Sequence, residues 1–322
     1  MKRSSLVAPA VGGLAVLLLL IGLIGTAIRD PRPHDIPVGL VGPAPAVQQL
    51  SANFAKAAHG TFLFTTYDSE DAARAAVDSR TVAGALVIGQ VAPKLILAGA
   101  AGDAMTGVIT AVFTNAFQAQ SLTLAVETVH PFSSGDAHGL VLFFLVVALM
   151  ISALVAQALL LNEAKGAGLS ARLIFVVLYA ALAGIAGMAA TSWITGELSS
   201  ASWAASALAA LAVAAVGAVV AGSARLLGGP GIGLSGLAVV LLGLVASGGP
   251  AGSEFLPDFY RWIAPWMVPG QLYSALRGVL YFDGAGLGDP VLVLTGWLVV
   301  GVLLMVLGEV VRRRGAVKVA AG

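Results

Sequence analysis

No Asp, Glu, Lys or Arg occurs in residues 4–28, 139–162, 173–196, 198–224, 226–253 or 290–308. Each can hold the ~20 apolar residues that a helix needs to cross a ~30 Å hydrocarbon core. Lipid offers no partner to backbone N–H and C=O groups, so such a crossing must satisfy them internally, as a helix. The windows predict spans at 6–28, 139–162, 173–195, 203–224, 230–249 and 290–309, one isolated and five clustered. Composition agrees. Only 10% of the 322 residues are charged and 58% are apolar, too few polar groups to cover a water-soluble fold. A soluble enzyme and a disordered chain are thereby excluded. So is a nucleic-acid binder, because a net charge of +1 attracts no phosphate backbone. With zero Cys there are no disulfides, thiolate metal sites or Cys nucleophiles.

Basic residues in short loops set orientation. Lys2, Arg3, Lys165, Arg172, Arg225, Arg312, Arg313, Arg314 and Lys318 all fall on one side if the spans alternate. That side is expected to be cytoplasmic, with both termini inside. Arg29 and Arg32 are the local exception. The first apolar run, Leu6 to Ile28, exceeds the 7–15 residues of a signal-peptide core and reads as an uncleaved anchor.

Residues 29–135, the only long stretch of ordinary polarity, then lie outside. Ile36 to Gly42 and Thr61 to Tyr67 read as strands, with a helical pattern over Ala44 to His59 between them. Ser69 is placed as N-cap of a helix from Glu70 to Ser79, whose acidic first turn suits the helix dipole. Val82 to Ile88 and Leu95 to Leu97 supply two more strands, and Asp103 opens a long apolar helix over roughly 104–126. The order β-α-β-α-β-β-α predicts a small α/β domain. The fold class is therefore an α-helical integral membrane protein with six transmembrane helices (1 + 5) and a small α/β extracytoplasmic domain after the first. Its parts are an anchor (1–28), the domain (29–135), helices two to five (136–250), an outer aromatic segment (251–288), and the last helix with a basic tail (289–322).

The segment 251–288 holds eight of the chain's 22 aromatics, as a membrane–water boundary favours. Pro257, Pro265 and Pro269 break it into two short helices, about 256–264 and 269–281, lying on or dipping into the outer leaflet. Arg277, mid-helix among apolar neighbours, needs a carboxylate, a lipid phosphate or water.

Other motifs carry little chemistry. Gly231 to Gly236 fits G-x-G-x-x-G, but it opens an apolar helix rather than following a strand. Close helix packing explains it, as it does Gly184/Gly187 and Gly217/Ala221. No P-loop is present, so ATP-driven work would need another polypeptide. His130, Asp136 and His138 are metal-ligand types at loose spacing, and Ser133 and Ser134 lack a nucleophile-elbow context. No cofactor, metal or catalytic residue is expected. The spans lack the ionisable groups that ion-coupled carriers place at bilayer depth.

One span, an outer domain and five further spans with a Pro-punctuated aromatic segment resemble the permease subunits of type-2 ATP-binding-cassette exporters, especially their phage-infection-protein-like (YhgE/Pip) relatives. The resemblance is carried by Phe255-Leu256-Pro257, Pro265-Trp266-Met267-Val268-Pro269 and Tyr273-Ser274-Ala275-Leu276-Arg277-Gly278. It is carried also by the Ile36-Pro37-Val38 strand, the Ser69-Glu70-Asp71-Ala72 helix start and the Asn162-Glu163-Ala164-Lys165-Gly166 turn. Full exporters carry an amphipathic helix where this sequence has Met1 to Ser5, and a longer docking turn than Glu163 to Arg172. Both differences point to the phage-infection-protein-like branch, whose members need not work with an ATPase.

The resemblance implies a homodimeric export permease in a bacterial cell membrane, moving a lipidic, drug-like or envelope substrate with a separate P-loop ATPase. Glu163, Lys165 and Gly166 are the expected contact for that cytoplasmic partner. Trp266, Pro269, Tyr273 and Arg277 are the expected outer gate or collar. The alternative is a non-transporting envelope scaffold or secretion accessory that presents its outer domain to a partner.

Overall fold

The computed structural model describes residues 4–89, 92–164, 166–196 and 201–320. After helix α1 (Ser4–Ile28) the chain builds a domain in the order β1 (Ile36–Val41), α2 (Ala44–Ala57), β2 (Phe62–Thr66), α3 (Glu70–Asp78), β3 (Gly84–Ile88), β4 (Pro93–Ala98), α4 (Asp103–Gln118) and β5 (Ala125–Val129). Then come α5 (Leu140–Glu163), α6 (Leu169–Thr195), α7 (Ser202–Leu227), and α8 (Gly229–Ser235), which continues through a π-helical turn into α9 (Leu242–Ala246). Two short helices, α10 (Asp258–Ile263) and α11 (Val268–Tyr281), precede α12 (Gly288–Ala320). Six helices are long and apolar enough to cross a membrane, at the six expected places, with α8 and α9 together making the fifth.

The bundle is built around α7. Its best apolar window is 72% buried, against 6% for α1. An Ala/Gly/Val-rich helix presents little beyond its backbone, so neighbours pack close. The contact with α12 shows how close. A Cβ at Gly301 would lie 2.5 Å from the Val219 nitrogen, and one at Gly222 would lie 2.5 Å from Leu304 Cβ. Gly231, inside the G-x-G-x-x-G match, has the same role: a Cβ there would meet the Ser223 carbonyl. By contrast α1 is held near its end. The Tyr260 hydroxyl donates to the Leu23 carbonyl at 2.7 Å and sits 2.7 Å from Thr26 Oγ1.

In the domain, five strands run in the order β2-β1-β3-β4-β5. All pairs are parallel except β3–β4. The strand β1 is apolar almost throughout because helices cover both faces of the sheet. On one face Ile36, Val38, Leu40, Leu86 and Leu95 pack against Phe54, Ile109 and Phe113; on the other, Ala85, Ile96 and Ala98 meet Ala73 and Val77. Ser69 caps α3, accepting the Ala72 N–H at 3.1 Å.

Two expectations need correction. The helix read as 104–126 ends at Gln118, and residues 125–129 form the fifth strand, in register from Lys94↔Ala125 to Ala98↔Val129. Ser121, at φ +59°, turns the chain. Glu127 then takes a two-pronged bond from Arg74 (2.8 and 2.7 Å) and an ion pair from Lys94 (2.8 Å). Neither partner adjoins it in sequence.

The second concerns α11, expected either to lie on or to dip into the outer leaflet: of these, the surface placement is the one its burial excludes. Val268, Leu272, Ala275 and Leu276 are fully buried in the bundle core, among the domain-facing ends of α5, α7 and α12.

Candidate functional site

The domain and the bundle are joined through the aromatic segment. Phe255 belongs to the core on the α2/α4 face of the sheet and Phe282 to the core on the α3 face. Two arginines cross the junction in opposite directions. From the end of α3, Arg80 sends Nη1 to the carbonyls of Ser274 (3.0 Å) and Ala285 (3.2 Å), and Nη2 to Ser274 Oγ (3.0 Å). Its guanidinium lies 5.3 Å from the Phe282 ring centre. From α11, Arg277 sends Nη1 to the carbonyls of Ala101 (2.8 Å) and Ala100 (3.3 Å) and stacks 4.7 Å over Tyr273.

Among the described residues neither arginine has an ion-pair partner. Burial, and secondarily the Arg277 charge, lower the Arg80 pKa to about 10, so Arg80 remains cationic at neutral pH. Gly278 makes the seat: a Cβ there would come within 2.9 Å of Arg80 Nη1 and 2.7 Å of the Ala285 carbonyl. Arg80 itself has φ +62°, a left-handed conformation usually left to glycine at a helix end. Sequence reasoning missed Arg80. An arginine where a helix stop calls for glycine was the available signal.

The four expected collar residues do not surround one opening. Tyr273 is buried and donates to the Gly139 carbonyl (3.3 Å), tying α11 to the start of α5. Pro269 is buried against Gly243 of α9. Trp266 is exposed, and its carbonyl accepts from Trp297 Nε1 at 2.6 Å. Of the side chains, Arg277 lies over the Tyr273 ring.

The histidine and aspartate candidates also go separate ways. Asp136 is buried and accepts the N–H groups of Val141 (3.0 Å) and Leu142 (2.9 Å), capping α5. His130 pairs with Asp78 at 2.8 Å, and His138 with Asp103. That last pair closes one end of a cavity of ≈ 890 Å³ between α4 and β5, lined by Thr110, Thr114, Val126 and Thr128.

At the other end of the bundle, the turn between α5 and α6 exposes Glu163 and Gly166; Lys165 lies outside the described residues. The turn's carbonyls are held from beneath by buried cations. Arg172 donates to Ala167 and Ala164 (both 3.3 Å), and Arg225 of α7 donates to Ala167 at 3.1 Å. The same Arg225 pairs with Glu309 of α12, which also binds Arg313 at 3.0 Å. Both arginines were read from sequence as loop charges. They are buried at helix ends, where carbonyls left unpaired by the turn supply acceptors.

No family model, curated protein or solved structure matches the chain.

Proposed function

We propose that the chain is a permease-like protein of a bacterial cell membrane, spanning it six times with both termini inside and the α/β domain outside. It moves a lipidic, drug-like or envelope substrate outward as a homodimer, powered by a separate P-loop ATPase that contacts Glu163, Lys165 and Gly166. The observation that carries this reading is the grip of Arg225. One side chain of the central helix holds both the α5–α6 turn and, through Glu309, α12. A partner that displaces the turn therefore acts on the two most closely packed helices of the bundle. At the opposite end α11, wedged against α5, α7 and α12, carries Arg277 to the domain, so helix rearrangement reaches the outer domain. Tyr273 and Arg277 belong to that linkage, while Trp266 and Pro269 flank it.

The alternative, a non-transporting scaffold, is favoured by the rigid mounting of the domain on Arg80, Arg277, Phe255 and Phe282. Gentle purification of the tagged chain separates the two. The permease reading expects a P-loop ATPase to co-elute, with turnover lowered by Glu163→Ala and Lys165→Ala. It is overturned if no ATPase associates and deletion of residues 29–135 alone reproduces the null phenotype.

A further inference from the structure

Beside the junction, a cleft of ≈ 460 Å³ opens between the end of α3 and the first turns of α12. We infer that it seats the phosphodiester headgroup of an anionic glycerolipid on Arg80. The inference rests on the membrane-spanning part of the reading above and is independent of transport.

The lining is mixed in character: Arg80, Gln271 and Ser274 are polar, whereas Trp266, Leu292 and Val293 are apolar, the last two belonging to α12. Trp266 and Leu292 are 61% and 71% exposed, a large apolar exposure for side chains beside a cationic group. The arrangement fits an amphiphile whose anionic head meets Arg80 and whose chains run along α12 into the hydrocarbon. An exposed Trp beside the polar–apolar boundary fits the same depth.

Arg80 is suited to the head. Its hydrogen bonds are to Ser274 and Ala285, which occupy three of five N–H donors. The two that remain face no carboxylate within ion-pair distance among the described residues. Guanidinium forks bind phosphate oxygens well because the donors are coplanar and always charged. The helix-end turn requires the left-handed backbone at this position but not an arginine, since glycine adopts it without strain. The acid that lines the cleft, Asp289, sits in the first turn of α12, where the helix dipole already stabilises its charge. It stands ready to accept from a headgroup hydroxyl.

The test uses the full chain in phosphatidylcholine nanodiscs, adding phosphatidylglycerol with brominated acyl chains and reading tryptophan quenching. Comparison with Trp266→Phe isolates the Trp266 signal from the other four tryptophans. Quenching should saturate at a mole fraction about tenfold lower for brominated phosphatidylglycerol than for brominated phosphatidylcholine, as one charge-assisted contact implies. Arg80→Gln should erase the difference, while Arg80→Lys should keep part of it.

Because Arg80 also ties the domain down, Gln271→Glu provides a second route. It adds a negative charge to the cleft, leaves the Arg80 contacts in place and should also erase the preference. Equal quenching by the two lipids, or a preference untouched by Gln271→Glu, overturns the inference. Displacement of the lipid by millimolar inorganic phosphate would assign the cleft to the free ion and overturn the lipid as its occupant. Incorporation into the disc reports separately on whether the chain spans a membrane.

Discussion

At the scale of single residues, the polar side chains of this apolar protein serve mostly to hold backbone groups. Asp136 caps a helix, Arg172 and Arg225 hold a turn, and Arg80 and Arg277 hold carbonyls across the junction. Glu127 is different, because its partners are cations. Bonds from Arg74 and then Lys94 lower its pKa from 4.5 to about 2. A depressed carboxyl contributes stability that is complete above its unfolded pKa and lost as pH falls through the folded one. Thermal melts should therefore show the domain weakening as pH drops from 4.5 towards 2. Glu127→Gln should flatten that slope; an unchanged slope would mean that other carboxylates carry it. Ser69 was legible as a cap because capping is local. Arg277 was legible as a cation in need of a partner, but the partners, Ala100 and Ala101, lie 177 and 176 residues away.

At the scale of elements, small residues decide how the helices meet. The backbones of α7 and α12 approach so closely at Gly301 that a side chain would collide with the Val219 nitrogen, which cannot rotate away. Gly301→Leu should lower the melting temperature in detergent by several degrees, because overpacking costs about 1–3 kcal/mol. Gly296→Leu on the same helix, where a Cβ meets nothing within 4 Å, should leave it unchanged. A melt that falls equally for both would show that leucine harms α12 regardless of contact. The spans were readable because charge-free length is a property of one segment. The strand β5 was not, since its first two residues end an apolar helical pattern and become strand only beside β4. The burial of α11 was equally hidden: its aromatics and prolines suit a surface helix, and only α5, α7 and α12 around it make it core.

At the scale of the whole molecule, the spans alternate so that Arg172, Arg225, Glu309 and Arg313 gather at the end opposite the domain. With no native Cys, single-cysteine labelling checks the sidedness directly. Cysteine at exposed Asp68 should react with a membrane-impermeant maleimide on intact cells. Cysteine at exposed Glu163 should react only after permeabilisation, and the reverse pattern would invert the topology. By itself the sequence determined six helices long and apolar enough to cross a membrane, their order, and a small α/β domain after the first. Charge placement and apolar periodicity act within a segment or at its ends, so they can be read one segment at a time. Tertiary structure alone decided that the domain is bolted to the bundle by two arginines, that Trp266, Pro269, Tyr273 and Arg277 meet different neighbours, and that Arg80 lines a cleft beside α12. Those outcomes depend on groups brought together across as many as 205 residues, and no local pattern records which carbonyl or ring a side chain will meet.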